Sequence, residues 1–386
     1  MSRGSAYDVV VVGAGVFGAW TALQLRRREA RVLLLDAYAP GHSRASSGGE
    51  SRVIRAGYGP DEIYTRMSMR AHALWREFFA RRGEEELLTE TGVLWLARGR
   101  DDALVTATHE TLKKAGAQVE RLERAELERL YPQFDFGPVT WGILEREAGV
   151  LLARRAVQSV VAEFISEGGV YKRAFVARPG GGGRLDSVST NEGERIRADA
   201  FVFACGPWLP KLFPALLGEL IHTSRQEVFF FGTPPGDERF APPRMPVWID
   251  FGAETYGIPD LEGRGFKLAL DRHGAEVDPD AEERAVTREL LEEVRAYLSE
   301  RFPAMAEAPL VESRVCQYEN TSNGDFLIDL HPDFENLWLA GGGSGHGFKH
   351  GPALGDYVAD LVLGGGAAEK RFTLATKERV RRRTVF

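Results

Sequence analysis

The feature that most constrains this chain is a glycine motif between a short apolar run and a helical pattern. Residues Tyr7–Val12 are mostly β-branched, as in a strand buried on both faces of a parallel sheet. Residues 13–18 (GAGVFG) follow at once, and residues 19–28 have the pattern of a helix. A second apolar run, 31–36, ends in an acid, Asp36. This order predicts a βαβ unit that binds an adenine dinucleotide.

Each glycine of the motif has a physical role. Gly13 permits a tight turn, Gly15 lets the backbone approach a pyrophosphate, and Gly18 allows close packing of the helix. The helix N-terminus offers unpaired N–H groups to the anion. Asp36, eighteen residues after Gly18, can accept hydrogen bonds from ribose hydroxyls and disfavours a 2′-phosphate. The motif does not distinguish NAD from FAD, and a purely structural glycine turn is the alternative.

A second glycine-rich connection near the C-terminal end favours FAD. Residues 345–349 (GHGFK) lie between a predicted strand at 336–340 and a predicted helix at 352–363. A helix N-terminus at this point could stabilise the negative charge of a reduced flavin. A glycine-rich strand-to-helix connection without a ligand is the alternative.

Composition excludes several classes of protein. The net charge of −7 gives no basic surface, and only the run at 381–383 (RRR) favours nucleic acid as a partner. Two cysteines are too few for a disulfide framework or a metal site. We find no signal peptide and no apolar stretch long enough for a membrane helix, so a cytoplasmic location is expected.

The fold class expected is α/β, with a Rossmann-like dinucleotide-binding domain and a second, α+β substrate domain. Aromatic alternation within residues 227–270 predicts a mainly antiparallel sheet for the second domain, and residues 281–301 predict a charged helix. Strands of the nucleotide-binding type lie at both ends and in the middle of the chain. We therefore expect a discontinuous first domain (1–85, 150–220 and 312–386) and a second domain made of 86–149 and 221–311.

Five collinear motifs together resemble the monomeric sarcosine oxidase family. They are DVVVVGAG (8–15), SSGGESRVIR (46–55), ACGPW (204–208), VCQY (315–318) and GHGFK (345–349). The family includes N-methyltryptophan, pipecolate and fructosyl-amino-acid oxidases within the D-amino-acid-oxidase-like flavoproteins. The resemblance spans nearly the whole chain and implies an FAD cofactor.

The resemblance also implies how the FAD is held. Cys316 matches the cysteine that forms a thioether to the flavin, with a buried thiol as the alternative, whereas Cys205 is interpreted as a packing residue. Val176 matches a backbone contact to adenine. The cofactor contacts predicted from the motifs and the resemblance are Gly13, Ala14, Gly15, Val16, Phe17, Gly18, Asp36, Ala37, Ser46, Ser47, Arg52, Val176, Gly206, Trp208, Cys316, Gly343, Gly345, His346, Gly347, Phe348 and Lys349.

Four basic residues match the family's catalytic cations. Arg55 and Lys349 fall where the family binds the substrate carboxylate, and two cations around one anion would orient an amino acid toward the flavin. Arg52 matches an arginine that lies against the flavin ring. Lys267 matches a lysine linked through water to flavin N5, where a positive charge would help O2 to be reduced. Without the resemblance, each would be interpreted as a surface charge.

The pocket residues depart from those of sarcosine oxidases. The family has a histidine where this chain has Gly48 and a tyrosine where it has Thr255, although Tyr256 and Tyr318 are present. Each loss opens the pocket or changes its polarity. Tyr256 is included among the predicted catalytic residues.

A second histidine of the family is replaced by Asp271. His273, two residues further on, could substitute for it only after a shift in register. We therefore expect a bulkier amine than sarcosine, with Asp271 available to pair with a cationic group on it.

The expected function is FAD-dependent oxidation of a secondary or N-alkyl amino acid to an imine, with hydride transfer to flavin N5. O2 would reoxidise the flavin and give H2O2. The expected partners are a small amine and O2, with no nucleic acid, membrane or metal, and the chain is expected to be a monomer. The alternatives are a flavin dehydrogenase with another acceptor, a non-catalytic FAD-binding subunit, and an NAD dehydrogenase.

Overall fold

The computed structural model describes residues 6–99, 102–281 and 283–379, and its elements are numbered in chain order. The arginine run at 381–383 lies outside the described residues. Within the described ranges, no helix is long and apolar enough to span a bilayer.

The first sheet, termed the parallel sheet, is built around the strand that precedes the glycine motif. Its strands within the described residues are β1 (Tyr7–Val12), β2 (Val32–Asp36), β9 (Val170–Arg173), β10 (Ser187–Ser189), β11 (Arg195–Phe203), β17 (Leu327–Leu330) and β18 (Leu337–Gly341). The order is β17-β18-β11-β1-β2-β9, with β10 paired to β11. Strand β1 is central, pairs in parallel with β2 and β11, and is buried from Val9 to Val12, as its continuous apolar run predicts.

The second sheet, termed the antiparallel sheet, has one parallel pair, β5 with β13. Its strands in the described ranges are β5 (Val93–Arg98), β6 (Val119–Glu123), β7 (Val139–Glu145), β12 (Ile221–Phe231), β13 (Val247–Asp250), β14 (Thr255–Ile258), β15 (Phe266–Leu270) and β16 (Leu310–Thr321). The predicted antiparallel pairing within residues 227–270 is confirmed. Strand β16 pairs with β12 along its length, so the predicted domain boundary at residue 312 falls inside a strand of this sheet. The division into domains stays a prediction.

A small third sheet joins the loop after the glycine unit to the rest of the fold. It contains β3 (Arg52–Ile54), β4 (Leu88–Thr89) and β8 (Gly149–Leu151). Its strand β3 begins at Arg52, which fixes the backbone next to the predicted catalytic arginines.

The helices surround these sheets. In the part of the chain that the structure describes, the α-helices are α1 (Val16–Arg27), α2 (Glu62–Arg82), α3 (Ala103–Ala115), α4 (Arg124–Leu130), α5 (Ala153–Ser166), α6 (Leu209–Leu212), α7 (Pro214–Leu217), α8 (Arg288–Arg301) and α9 (Gly351–Val362). Short 3-10 turns occur at Ser46–Gly48, Glu85–Leu87, Gly206–Trp208, Glu238–Phe240, Phe251–Ala253, Pro303–Met305, Phe348–His350, Lys370–Phe372 and Leu374–Thr376.

The prediction of a helix over residues 281–301 was wrong at its N-terminal end. Helix α8 begins at Arg288, and described residues before it hydrogen-bond to strand β12. The Arg225 guanidinium donates to the Glu283 carbonyl (3.0 Å), and the Thr287 amide donates to the Glu227 carboxylate (2.7 Å). These tertiary contacts override the helical propensity of the charged sequence.

Helix α1 starts at the C-terminal end of β1 and packs against α5 and α9. Gly13, between β1 and α1, has a φ of +104°, and a Cβ there would overlap the carbonyl oxygen of Ala204. Only glycine fits this turn. Trp20 anchors α1 in the core through edge contacts to Trp75 (5.0 Å between centroids) and Phe78 (4.9 Å). The amides at the start of α1 consequently face the edge of the parallel sheet where β1, β2, β11 and β18 end.

Candidate cofactor and active site

A cavity of about 370 Å³ lies at this edge of the parallel sheet. Parallel strands commonly bind dinucleotides at their carboxyl ends. The predicted cofactor residues that line it are Gly13, Gly15, Val16, Phe17, Asp36, Ala37, Ser46, Ser47, Arg52, Val176, Gly206, Trp208, Cys316, Gly343, Gly345, Gly347 and Phe348. Four other predicted contacts, Ala14, Gly18, His346 and Lys349, lie outside its lining.

Two of those four, Ala14 and Gly18, stabilise the glycine turn although they do not line the cavity. The Ala14 amide donates to Asp36 Oδ2 (2.8 Å), and the Tyr38 amide donates to Oδ1 (2.8 Å). These bonds hold the Asp36 carboxylate at the cavity wall, in position to accept from ribose hydroxyls. A Cβ on Gly18 would overlap the carbonyl oxygen of Gly13, so this glycine permits the close packing of α1 that the motif predicts.

The serine loop ties the start of α1 to strand β16. Ser47 Oγ accepts from the Val16 amide (3.1 Å), and Ser46 Oγ donates to the Gln317 carbonyl (2.7 Å). This second bond brings Cys316, the residue before Gln317, to the cavity wall. Cys205 also lines the cavity, with its Sγ 3.4 Å from the Val12 carbonyl oxygen, and burial raises the pKa of its thiol.

The first cationic pair, Arg52 and Lys267, lies beside Cys316. Arg52 donates from Nη2 to Cys316 Sγ (3.2 Å) and to the Ser46 carbonyl (2.6 Å), and from Nη1 to the Ser51 carbonyl (2.8 Å). Lys267 Nζ, on β15, donates to the same Ser51 carbonyl (3.2 Å). Lys267 is 2% exposed, and burial, reinforced by the charge of Arg52, lowers the pKa of its ammonium to about 7.

The second cationic pair, Arg55 and Lys349, shares one aromatic ring. The Arg55 guanidinium carbon is 4.7 Å from the centroid of the Tyr58 ring, and Lys349 Nζ is 4.8 Å from it. Arg55 also lies 4.8 Å from the Trp95 ring and donates to the Gly57 carbonyl. Lys349 is buried and donates to the His346 carbonyl (3.2 Å). Burial, with the charge of Arg55 added, lowers the pKa of Lys349 well below its usual value.

Glu145, at the end of β7, balances this pair and was missed by the sequence analysis. Its carboxylate accepts from the Trp95 indole (2.6 Å) and from the amides of Ala56 (2.8 Å) and Gly57 (3.1 Å). Burial raises its pKa in spite of these donors and of the nearby Arg55. The sequence marks Glu145 only as a single acid at the end of an apolar strand.

Tyr256, Tyr318 and Asp271 connect the two cationic pairs. Burial raises the pKa of Tyr256 to about 12 and that of Tyr318 well above its usual value. The charge of Asp271 adds to both shifts, and it also opposes the lowering of the pKa of Lys349. Asp271 therefore lies within electrostatic range of both tyrosines and of Lys349, and all six predicted catalytic residues occupy one region.

The structure also shows the surroundings of Gly48, Thr255 and His273, which concern the departures from the sarcosine oxidase pattern. A Cβ on Gly48 would overlap the carbonyl oxygen of His42, so this backbone leaves no room for a side chain there. His42 itself lines the cavity, with its ring 4.6 Å from that of Tyr38. Thr255 is buried and donates to the Ala253 carbonyl (2.9 Å). His273 is exposed, and its ring centroid is 6.4 Å from that of Tyr318.

His346 lies in a buried network behind the cavity. The Tyr58 hydroxyl is 2.9 Å from His346 Nδ1 and 2.7 Å from His350 Nε2. Burial, with the charge of Lys349 added, lowers the pKa of both histidines, so both are neutral near pH 7. The network fixes Tyr58, whose ring contacts Arg55 and Lys349.

Residues 274–281 join strand β12 to the cavity lining, which the segment reaches at Asp280. The Val277 amide donates to the Thr223 carbonyl (3.0 Å) on β12. In the cavity lining, the Asp280 carboxylate accepts from the Trp208 indole (2.7 Å) and from Lys211, which also pairs with Asp278 (2.7 Å). Among the residues described, no group of three or more His, Cys, Asp or Glu side chains could hold a metal ion.

Comparison with known proteins gives a consistent result. Residues 8–361 match the FAD dependent oxidoreductase family. The chain is 31% identical over 367 residues to the monomeric sarcosine oxidase of Bacillus sp. (strain B-0618), covering 93% of each protein. It is 28% identical to the N-methyl-L-tryptophan oxidase of Salmonella arizonae, covering 92% of this chain and 95% of that one.

Solved structures share the fold. L-proline dehydrogenase from P. horikoshii superposes with a TM-score of 0.81 at 21% identity, covering 94% of this chain and 95% of that one. Glycine oxidase from Geobacillus kaustophilus gives a TM-score of 0.78 at 22% identity, covering 95% and 98%. With the cavity at the strand ends and the match over most of its length, the chain belongs to the family of FAD-dependent oxidoreductases.

Proposed function

We propose that this protein oxidises a secondary or N-alkyl amino acid to the imine and passes the electrons to O2, giving H2O2. The observation that carries the proposal is the convergence of Arg52, Arg55, Lys267 and Lys349 in one region next to Cys316. Relatives named for sarcosine and N-methyl-L-tryptophan support this substrate class.

FAD fits the residues that line the cavity. The α1 N-terminus can bind a pyrophosphate, and the Asp36 carboxylate can bind a ribose. When bound, FAD supplies the acceptor for the substrate's hydride equivalents and the route from there to O2. We infer that Cys316 holds the flavin covalently, since its sulfur lies in the cavity wall against Arg52.

Arg55 and Lys349 would bind the substrate carboxylate. Arg55 is held between the Tyr58 and Trp95 rings, which fixes the plane of its guanidinium before the substrate arrives. Lys349, with its lowered pKa, gains a negative partner when a carboxylate binds, so substrate binding favours its ammonium form. The same positive charges favour the neutral form of the substrate amine, and no residue is required as a general base.

Asp271 would select the substrate side chain. It lies near Lys349, Tyr256 and Tyr318, at a position where sarcosine oxidases have a histidine. A carboxylate there favours an amine that carries a second cationic group. We therefore propose a bulkier amino acid than sarcosine as the preferred substrate.

Lys267 would promote the oxygen half-reaction. Its ammonium is buried and fixed on the Ser51 carbonyl, so its charge is only weakly screened and favours the negative charge that develops on O2. Because its pKa is about 7, the fraction of charged Lys267 changes near neutral pH.

The test combines spectroscopy with a panel of amines. Flavin absorbance that stays in the acid-precipitated protein would support attachment through Cys316, and an amine that bleaches the flavin and yields peroxide in air would identify the activity. Bleaching without peroxide would indicate a dehydrogenase, no bleaching a non-catalytic subunit, and a colourless protein that cannot be reconstituted with FAD would exclude the flavin. Size-exclusion chromatography tests our further inference that the chain is a monomer.

Variants test the assigned roles. Arg52→Ala should slow flavin reduction and Lys267→Met should slow reoxidation, each by on the order of 10²-fold or more in stopped flow. Lys172→Met, which removes a partly exposed lysine paired with Glu194, is the matched control and should leave both rates unchanged. Unchanged rates in the first two variants would contradict the roles given to these cations.

A further inference from the structure

Glu319 is a buried acid in the wall of the dinucleotide cavity that the mechanism above does not use. It lies on β16, three residues after Cys316, and is 7% exposed. Glu319 is among the residues that line the cavity, and its carboxyl group lies next to Gly206 and Gly341, where β11 and β18 end. A carboxyl group in such a place is expensive to bury unless it has a partner.

The surrounding backbone makes room for this carboxyl group. A Cβ on Gly341 would overlap Glu319 Oε1, and one on Gly206 would lie 4.0 Å from Oε2. The amides of Gly342 and Gly343 donate toward the carboxyl group, yet Oε1 is buried with no hydrogen-bond partner among the described residues. Glycines on two strand ends therefore accommodate an acid whose hydrogen bonding is incomplete.

Burial, and not a neighbouring charge, favours the neutral acid at Glu319. Among the described residues, no lysine or arginine contributes a charge that shifts the pKa of Glu319. Burial raises its pKa to about 7, against the effect of the two glycine amides. The other titratable or charged side chains of residues that line the cavity are Asp36, Tyr38, His42, Arg52, Cys205, Lys211, Asp280, Cys316 and Tyr318. A pyrophosphate entering the cavity adds negative charge and disfavours ionisation further.

We propose that Glu319 is a direct ligand of FAD and donates a hydrogen bond, as the neutral carboxylic acid, to an acceptor oxygen of the cofactor. When Glu319 is ionised in the free protein, FAD binding takes up one proton from solvent. This inference depends on FAD being the cofactor and adds to it a cofactor contact that couples binding to pH.

The test measures FAD affinity in the full chain carrying Cys316→Ser, which cannot form the thioether. The flavin-free protein is titrated with FAD by quenching of flavin fluorescence at about pH 6 and about pH 8.5. If the neutral acid is required, the Kd should be about 30-fold weaker at the higher pH, and a pH indicator should report uptake of about one proton per FAD there.

Two further variants assign the effect. Glu319→Gln keeps a donor of the same shape and should remove most of the 30-fold dependence on pH and most of the proton uptake. Glu227→Gln is the matched control, because Glu227 is a buried acid on the neighbouring strand β12 and is not among the residues that line the cavity. It should keep the 30-fold dependence.

The outcomes separate this proposal from the cofactor assignment. FAD binding that is independent of pH in the parent, or that strengthens with rising pH, would overturn the role of Glu319 alone. An unchanged pH dependence in Glu319→Gln would do the same. A protein that binds no FAD at either pH would overturn the cofactor assignment and this proposal with it.

Discussion

Replacing Lys267 with methionine should stabilise the flavin-free protein, and the gain should be larger at low pH. The Lys267 ammonium is buried among other cations, and its pKa falls from the usual 10.5 to about 7. At about 1.36 kcal/mol for each tenfold change in the protonation equilibrium, holding the charge inside the fold is unfavourable by about 5 kcal/mol. Methionine removes that charge with little change in volume.

The sign of the pH dependence follows from proton binding. Below about pH 7, Lys267 is charged in both the folded and unfolded states, and the unfavourable term is fully present. Between about pH 7 and 10.5 the unfolded state binds the proton and the folded state does not, so stability rises with pH. The advantage of Lys267→Met should therefore shrink from about 5 kcal/mol at pH 6 to about 1.5 kcal/mol at pH 9.5, a difference of about 3 kcal/mol.

Urea unfolding of the flavin-free Cys316→Ser chain, with and without Lys267→Met, measures this difference at the two pH values. Lys267→Met also removes the hydrogen bond to the Ser51 carbonyl. This loss lowers the gain in stability equally at both pH values, so the difference between the two gains is unchanged. Lys172→Met is again the control, since Lys172 is partly exposed, and it should show no comparable change. An equal effect of Lys267→Met at both pH values would refute the reasoning, because it would mean that folding does not perturb the pKa of Lys267.

Three further predictions concern the cavity and its surroundings. Gly13→Ala places a methyl group against the Ala204 carbonyl at a positive φ, so FAD binding measured by fluorescence should fall by at least about 10-fold. Glu145→Gln can keep an oxygen toward the Trp95 indole and the Gly57 amide but places an NH2 group against the Ala56 amide, which should lower the free energy of unfolding by about 1–3 kcal/mol in urea and raise the KM for the amino acid. Lys211→Met removes the ion pairs with Asp278 and Asp280 beside the cavity, so FAD should dissociate about fivefold faster, and added salt should reduce the difference from the parent.

The dinucleotide site could be predicted largely from sequence because local spacing determines it. Gly13 and Gly18 shape one turn, and Asp36 ends the next strand, so a short stretch of chain contains most of the geometry. The clustering of Arg52, Lys267 and Cys316 has a different origin, since it depends on pairings between segments far apart in the chain. The resemblance to a family indicated that cluster, and periodicity alone did not.

Glu145 and Glu319 could not be predicted from the sequence: Glu145 is a single acid at the end of an apolar strand, and Glu319 is one of two acids in the mixed polar and apolar strand β16. Their partners are set by register: Glu145 reaches Trp95 through the pairing of β7 with β5, and Glu319 reaches Gly341–Gly343 through the packing of β16 on β18's end. Helix α8 shows the opposite case, in which a strong local propensity upstream of Arg288 yields to hydrogen bonds with β12. Contacts between segments far apart in the chain determine the surroundings of Glu145 and Glu319 and the start of helix α8. Such contacts cannot be identified from one sequence.

The strand order of the parallel sheet also has a consequence during synthesis. The central strand β1 emerges from the ribosome first, but its neighbour β11 follows about 190 residues later and β18 more than 300 residues later. At roughly 5–20 residues per second, one edge of an apolar valine strand is unpaired for about 10–40 s. Chaperones that shield nascent chains would act in that interval. The cofactor can be captured only after Gly343–Phe348 has been made, so a chain truncated before this segment would carry the complete glycine motif and still be unable to retain a flavin.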